Sequence, residues 1–306
     1  MTTWYNGHNN YQKITFDINE ETKKHTFHLE LLDVPTIESS DINDIFNLHY
    51  SNRNNRVIEV LYSGGLDSEI ILIHCLKNNI SARAVTMRIL VNGFAVNTHD
   101  LYYSEKFCRE NNVEQVLLDF HADKFFENGD HISYLSPYKI ATPHVATHFW
   151  LFEQCSSFPV IGGDYNWPWH NQRILSPQRH PFACYSKFLT DNNIDGIGGM
   201  VNYSLESNIA FIKTHLSIFN YDIHGGRSLK IPRLKQDIVD ILGFGQVERR
   251  MRSYGWEGLL KEIFDINLYQ EDLINRFGNT SSSISWGEKI GTALDSIPGF
   301  NDKFSE

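Results

Sequence analysis

The stretch that most restricts this chain is "VIEVLYSGGLDSEIILIHCL", residues 57–76, where an apolar run stops at two adjacent glycines and resumes at once with helical spacing. Such a run reads as a buried strand turning directly into a helix. That turn aims several backbone N–H groups, together with the positive end of the helix, at one spot above a sheet, and the spot suits an anion. Gly64 and Gly65 matter because a side chain would hold the backbone away from a phosphate and confine the turn to negative φ. Ser63 and Ser68 add hydroxyls. Asp67 adds a carboxylate, which beside a polyphosphate is tolerable only with a divalent cation between the two charges. With each residue type at roughly 5–7% frequency, the five fixed positions of SGGxDS arise by accident on the order of once in several thousand such chains.

The rest of the chain supplies the context that this turn needs. From Val57 onward, short apolar strands alternate with helical stretches, the pattern of a parallel sheet covered by crossover helices. The spacing predicts strands at 57–62, 82–90, 115–119 and 158–162, and helices at about 66–78, 97–112 and 142–155. Each helix starts beside a capping residue: Asp67 or Ser68, Asn97 or Thr98, and Thr142 before Pro143. Ahead of this unit, 11–34 alternates apolar and polar around "NEETKK" and reads as two strands joined by a turn, while "SNRNNR" at 51–56 is a polar break. After about residue 216 the pattern is helical. We therefore expect an N-terminal β appendage (1–55), an α/β domain built around that turn (56–215) and a C-terminal helical segment (216–306).

Composition narrows the functions. A formal net charge of −10 over 306 residues argues against a surface built mainly to hold nucleic acid, although a local basic groove is compatible with it. No apolar run approaches the ~18 residues of a membrane span, and the N-terminus lacks the basic start and apolar core of a signal peptide, so the expected compartment is the cytoplasm. Cys75, Cys108, Cys155 and Cys184 form no CxxC pair and read as buried thiols. His144 and His148 are spaced i, i+4, as zinc ligands can be, but Val145 stands where HExxH carries its glutamate, and no third ligand is evident.

The loop is not a Walker loop, since GxxxxGK[ST] is absent, and no GxGxxG follows the strand. "LYSGGLDSEI" instead resembles the pyrophosphate loop of the PP-loop, or N-type, ATP pyrophosphatases, most closely the synthetase domain of asparagine synthetase, with 7-cyano-7-deazaguanine synthase in the same superfamily. The resemblance covers about 57–166. It implies a parallel, five-stranded HUP-like (adenine nucleotide alpha hydrolase-like) sheet with helices on both faces. It also implies cleavage of ATP between the α and β phosphates with adenylation of a substrate oxygen. On this resemblance Ser63, Gly64, Gly65, Leu66, Asp67 and Ser68 hold pyrophosphate and Mg²⁺, and Met87 and Arg88 lie at the adenosine. "IGGD" places Gly162, Gly163 and Asp164 at a second loop, with Asp164 a candidate second metal ligand or substrate contact.

The missing loop lysine asks for basic residues from elsewhere. The segment 227–252 carries Arg227, Lys230, Arg233, Lys235, Arg249, Arg250 and Arg252, and the resemblance makes Lys230 the first choice for the phosphates. The aromatic loop around Trp167 and Trp169 could stack on a planar substrate. Thr2 stands where a glutaminase nucleophile would be cysteine, so glutamine hydrolysis in cis is not expected. The nucleophile would be ammonia, an amine, a thiol carrier such as one using Cys184, or the product of a separate protein. The leading expectation is thus an AMP-forming ligase acting on a small-molecule carboxylate or carbonyl. The alternatives are an enzyme that modifies a nucleobase of tRNA or DNA, and a nucleotide-binding module without turnover.

Overall fold

The computed structural model describes residues 2–5, 12–19, 21, 24–31, 42–50, 53–162, 169–170, 173–174, 182–200, 207, 240, 243 and 266–286. Three N-terminal strands, β1 (Thr2–Tyr5), β2 (Gln12–Asn19) and β3 (Lys24–Leu31), pair antiparallel in succession. Helix α1 (Ile42–His49) follows, and then the central unit: β4 (Ile58–Leu61), α2 (Leu66–Lys77), β5 (Ala82–Val91), β6 (Phe94–Ala95), α3 (Thr98–Glu110) and β7 (Gln115–His121). Two short helices, α4 (Ala122–Glu127) and α5 (Asp130–Leu135), and a 3-10 turn at Ser136–Tyr138 lead to α6 (Pro143–Gln154) and β8 (Phe158–Val160). The two-residue strands β9 (Trp169–His170) and β10 (Arg173–Ile174) form a hairpin, and α7 (Phe182–Asp191) comes after it. Helix α8 (Ile266–Phe277) and strand β11 (Asn279–Trp286) complete the described chain, and β11 pairs in parallel with β3.

The main sheet has five strands. Four are parallel, in the order β7-β5-β4-β8, and β6 runs antiparallel on the end of β5. The strands at 58–61, 82–91, 115–121 and 158–160 and the helices that cross between them match the expected α/β pattern to within a few residues. Alternation along β4 feeds two cores. Ile58, Val60 and Tyr62 pack with α1, α2 and part of α3 on one face, and Leu61 packs with α4, α5, α6 and α7 on the other. Phe149 of α6 stacks on Phe188 of α7 with centroids 4.1 Å apart, and burying one such ring contributes about 2–3 kcal/mol. Among the described residues no helix is long and apolar enough to cross a membrane.

Helix α1 presents Ile42, Ile45, Phe46 and His49 to the core at i, i+3, i+4 and i+7. Burial, and then the neighbouring His74, push His49 down to about 3. Between about pH 6.5 and 3 the unfolded chain takes up a proton that the folded chain refuses. The stabilisation is therefore fully present above about pH 6.5 and is lost as the pH falls, by up to about 1.4 kcal/mol per pH unit. Chemical denaturation at pH 5 against pH 7 should show His49→Gln removing about 2 kcal/mol of the acid loss seen in the unmodified chain. An unchanged acid limb would contradict the assignment.

Candidate functional site

Strand β4 sits where the topology changes direction. From it the chain steps through α2 to β5 and through α3 to β7 on one side, and then returns through α6 to β8 on its other side. In open α/β sheets the crevice at such a switch point, outside the carboxyl ends of the strands, is where ligands bind. Residues 63–68 leave β4 at that point.

The local geometry follows from the two glycines. Tyr62 still belongs to the ladder, donating its N–H to the carbonyl of Val85 at 2.8 Å. Gly64 then takes φ +79°, and a Cβ there would lie 2.4 Å from the carbonyl oxygen of Asp100 and 3.2 Å from the nitrogen of Ser104. The loop is thus pressed against the first turns of α3. Gly65 is the N-cap of α2, with no side-chain cap, so the first-turn amides are directed to the carboxyl edge of the sheet. Gly162, at the exit of β8, lies on the loop from the other side: a Cβ there would meet the carbonyl oxygen of Asp67 at 2.5 Å and the nitrogen of Ser68 at 2.9 Å. Two strand exits that only backbone can occupy therefore meet at the switch point.

Ser63 is exposed, and Gly65, Leu66 and Asp67 are partly exposed. Ser68 is buried, and its hydroxyl turns inward to donate to the Gly65 carbonyl at 3.3 Å, which makes it a support of the loop. The residues either side of the loop are joined as well. The Tyr62 hydroxyl donates to the Glu69 carboxylate, with both side chains buried, so a side-chain clasp closes the ends of 63–68. Burial, and then the nearby Glu69 charge, push the Cys108 thiol up to about 11. Sequence reasoning passed over this clasp, although a glutamate inside "SEIILI" was a visible signal.

A second support was read only as a helix start. Between the end of the β4 pairing at Val85 and the β6 pairing at Leu90, no described strand lies on that edge of β5, and the buried Asn97 side chain takes the place. Its Nδ2 donates to the carbonyl of Met87 at 2.8 Å, and its Oδ1 accepts from the N–H of Ile89 at 2.9 Å. Asn97 is the N-cap of α3 by position, but its carboxamide serves β5. Met87 packs against the core and Arg88 holds Asp119 at two points, Nε to Oδ1 at 2.6 Å and a terminal nitrogen to Oδ2 at 2.8 Å. Arg88 would have to give up that pair to reach a nucleotide. Gly163, Asp164, Trp167, Lys230 and the rest of the 227–252 basic cluster lie outside the described residues.

The fit to a metal-bound nucleotide is favourable at the loop itself. The Asp67 carboxylate could hold a divalent cation, while the Ser63 hydroxyl and the first-turn amides could hold phosphate oxygens. The cysteines do not join this site. Cys75 and Cys108 belong to one face of the sheet and Cys155 and Cys184 to the other. Burial pushes Cys75 up to about 12 and Cys184 well above the usual thiol range. A sulfur-carrying role for Cys184 is therefore not supported, because a nucleophilic thiol must ionise. His144 and His148 lie with ring centroids 6.2 Å apart, and the Tyr185 hydroxyl hydrogen-bonds His148 Nδ1. Burial, and then His144, push His148 down to about 3. Among the described residues, no three histidine, cysteine or acidic side chains group as metal ligands.

No protein-family model matches the sequence, and no curated protein does. Solved structures with a likeness of chain trace include these two. One is described as a predicted subunit of tRNA methyltransferase from Methanocaldococcus jannaschii, 14% identical, with a TM-score of 0.30 over 65% of this chain and 93% of that one. The other is the U34-tRNA thiolase NcsA from Methanococcus maripaludis with its [4Fe-4S] cluster, 12% identical, with a TM-score of 0.26 over 76% of this chain and 79% of that one.

Proposed function

We propose that this chain binds Mg²⁺-ATP at the Ser63–Ser68 loop and splits it between the α and β phosphates, adenylating an acceptor held over the crevice between β4 and β8. The observation that carries this reading is the meeting of Gly64, at φ +79°, and Gly162, against the Asp67 carbonyl, at the switch point of a parallel sheet. The Ser63 hydroxyl and the amides at the start of α2 hold the departing pyrophosphate, and Asp67 holds the cation. When bound, Mg²⁺ neutralises the charge that develops on the leaving group. Adenylation asks little more of the protein than in-line alignment, which can contribute about 7–11 kcal/mol. Asp164 as a second metal ligand, Lys230 as the cation facing the phosphates and Gly163 beside them are carried by the resemblance to PP-loop enzymes.

For the acceptor we favour an RNA nucleobase over a small-molecule carboxylate. The first turns of α3, which press on Gly64, carry a contiguous set of rings. His99 meets Tyr103 at 4.9 Å, Tyr103 meets Tyr102 at 5.2 Å, and Tyr102 is 59% exposed. Phe94, at the β5–β6 turn, is 76% exposed. Bases unstacked from RNA bind such rings for about 1–3 kcal/mol each. The two solved structures named above are likewise described as tRNA-modifying proteins. The placement of the four cysteines on opposite faces of the sheet favours an acceptor attacked by nitrogen or carbon over one attacked by sulfur. A carboxylate attacked by ammonia or an amine from a separate protein, as in an asparagine synthetase-like ligase, is the competing acceptor.

Incubation with ATP and Mg²⁺ beside unmodified tRNA, or beside a metabolite panel with ammonium, separates these acceptors by ³¹P NMR. AMP and pyrophosphate stimulated by tRNA support the reading, and stimulation by a metabolite alone moves the acceptor to that class. ADP and phosphate would overturn adenylation itself. Asp67→Asn should lower the rate at least ~100-fold in either arm.

A further inference from the structure

On the face of the sheet away from α2, beside the last turns of α6, lies a cleft of about 480 Å³ that the proposed chemistry does not use. Its volume is that of a small-molecule site. Its walls are aromatic: Phe125, Tyr134, Tyr138, Trp150 and Phe188. The rings brace one another, with Phe125 and Tyr134 at 5.8 Å, Tyr138 and Phe188 at 6.2 Å, and Tyr134 and Phe188 at 6.4 Å. A cage of this kind is therefore formed in advance of any ligand.

The charges that the described residues bring to the lining are of one sign. Asp130 and Glu153 both line the cleft, and among the described residues no lysine or arginine does. The Tyr134 hydroxyl donates to Glu153 and fixes that carboxylate at the rim. Lys187, on the same helix as Phe188, is tied to Asp191. An anion would be repelled here. A neutral apolar ligand would leave two carboxylates to be desolvated without return. A bare metal ion would want converging ligands, and no such group exists among the described residues. An organic cation satisfies both parts of the lining, since ring faces attract a cation through their quadrupole and the carboxylates attract it through charge.

We propose that this cleft is a binding site for a small alkylammonium or quaternary ammonium ligand, separate from the Ser63–Ser68 loop. The test uses choline and its uncharged isostere 3,3-dimethyl-1-butanol, followed through the tryptophan indole N–H signals in ¹⁵N NMR, with Trp150→Phe assigning the reporter. Choline should shift the Trp150 signal saturably, with an affinity about tenfold above that of the isostere. Glu153→Gln and Asp130→Asn should each weaken choline about three- to fivefold without changing the isostere, and added salt should weaken choline alone. Both residues are exposed, so the variants should keep the far-ultraviolet dichroism of the parent. Equal affinity for the two probes, or no saturable shift up to about 50 mM, a concentration that reveals even millimolar binding, would overturn the proposal.

Discussion

Gly64→Ala should abolish nucleotide binding and destabilise the fold by about 3 kcal/mol or more. An L-residue held in the left-handed region costs about 1–2 kcal/mol by itself. The new Cβ would also stand 2.4 Å from the Asp100 carbonyl oxygen, a backbone atom that cannot rotate aside. Either the loop or the start of α3 has to move, and a displacement of ~1 Å at a reacting centre can cost about 100-fold in rate. Gly162→Ala should behave alike, because its Cβ would strike the Asp67 carbonyl from the other side at 2.5 Å. Gly65→Ala is the contrast. Its φ is −84° and its Cβ would meet only the Ser63 side chain, at 3.3 Å, so stability should change by less than about 1 kcal/mol. Thermal melts with calorimetric titration of Mg²⁺-ATP measure both effects. Wild-type binding by Gly64→Ala would show that the loop is not the site.

Breaking the clasp should give the second large effect. Tyr62→Phe removes the hydroxyl that donates to the buried Glu69, a hydrogen bond to a carboxylate worth about 1.5–3 kcal/mol. Glu69→Gln keeps an acceptor of the same shape and should cost less. The pair touch, so the double variant Tyr62→Phe with Glu69→Leu should fall short of the sum of the single effects. If the clasp positions the loop, kcat should fall further than KM rises in Tyr62→Phe. Equal losses would reduce Tyr62 to a fold residue.

Much of the central α/β unit was legible because its signals are local and repeated. The strand before Ser63 and the helix after it follow from one apolar run, two glycines and the spacing of Ile70, Ile71, His74 and Cys75. Helices α4 and α5 were not legible, since six residues make fewer than two turns and carry no measurable period. Helix α1 could have been found: Ile42, Ile45, Phe46 and His49 have helical spacing inside a segment read as appendage. Strand β11, "NTSSSISW", offers almost no apolar alternation, and its place is set by a partner far away in sequence. Asn97 misled for a related reason. A helix-start residue was recognised, but only the fold shows that its carboxamide fills the gap between β4 and β6 along the edge of β5.

The pairing of β11 with β3 bears on how the protein is made. Residues 24–31 emerge from the ribosome long before 279–286, and at about 5–20 residues per second the delay amounts to tens of seconds. Throughout that interval the outer edge of β3 offers its backbone to any passing strand. The edge of β3 is therefore covered only once Asn279–Trp286 has been made, and a nascent chain stalled before Asn279 would be the form most open to aggregation.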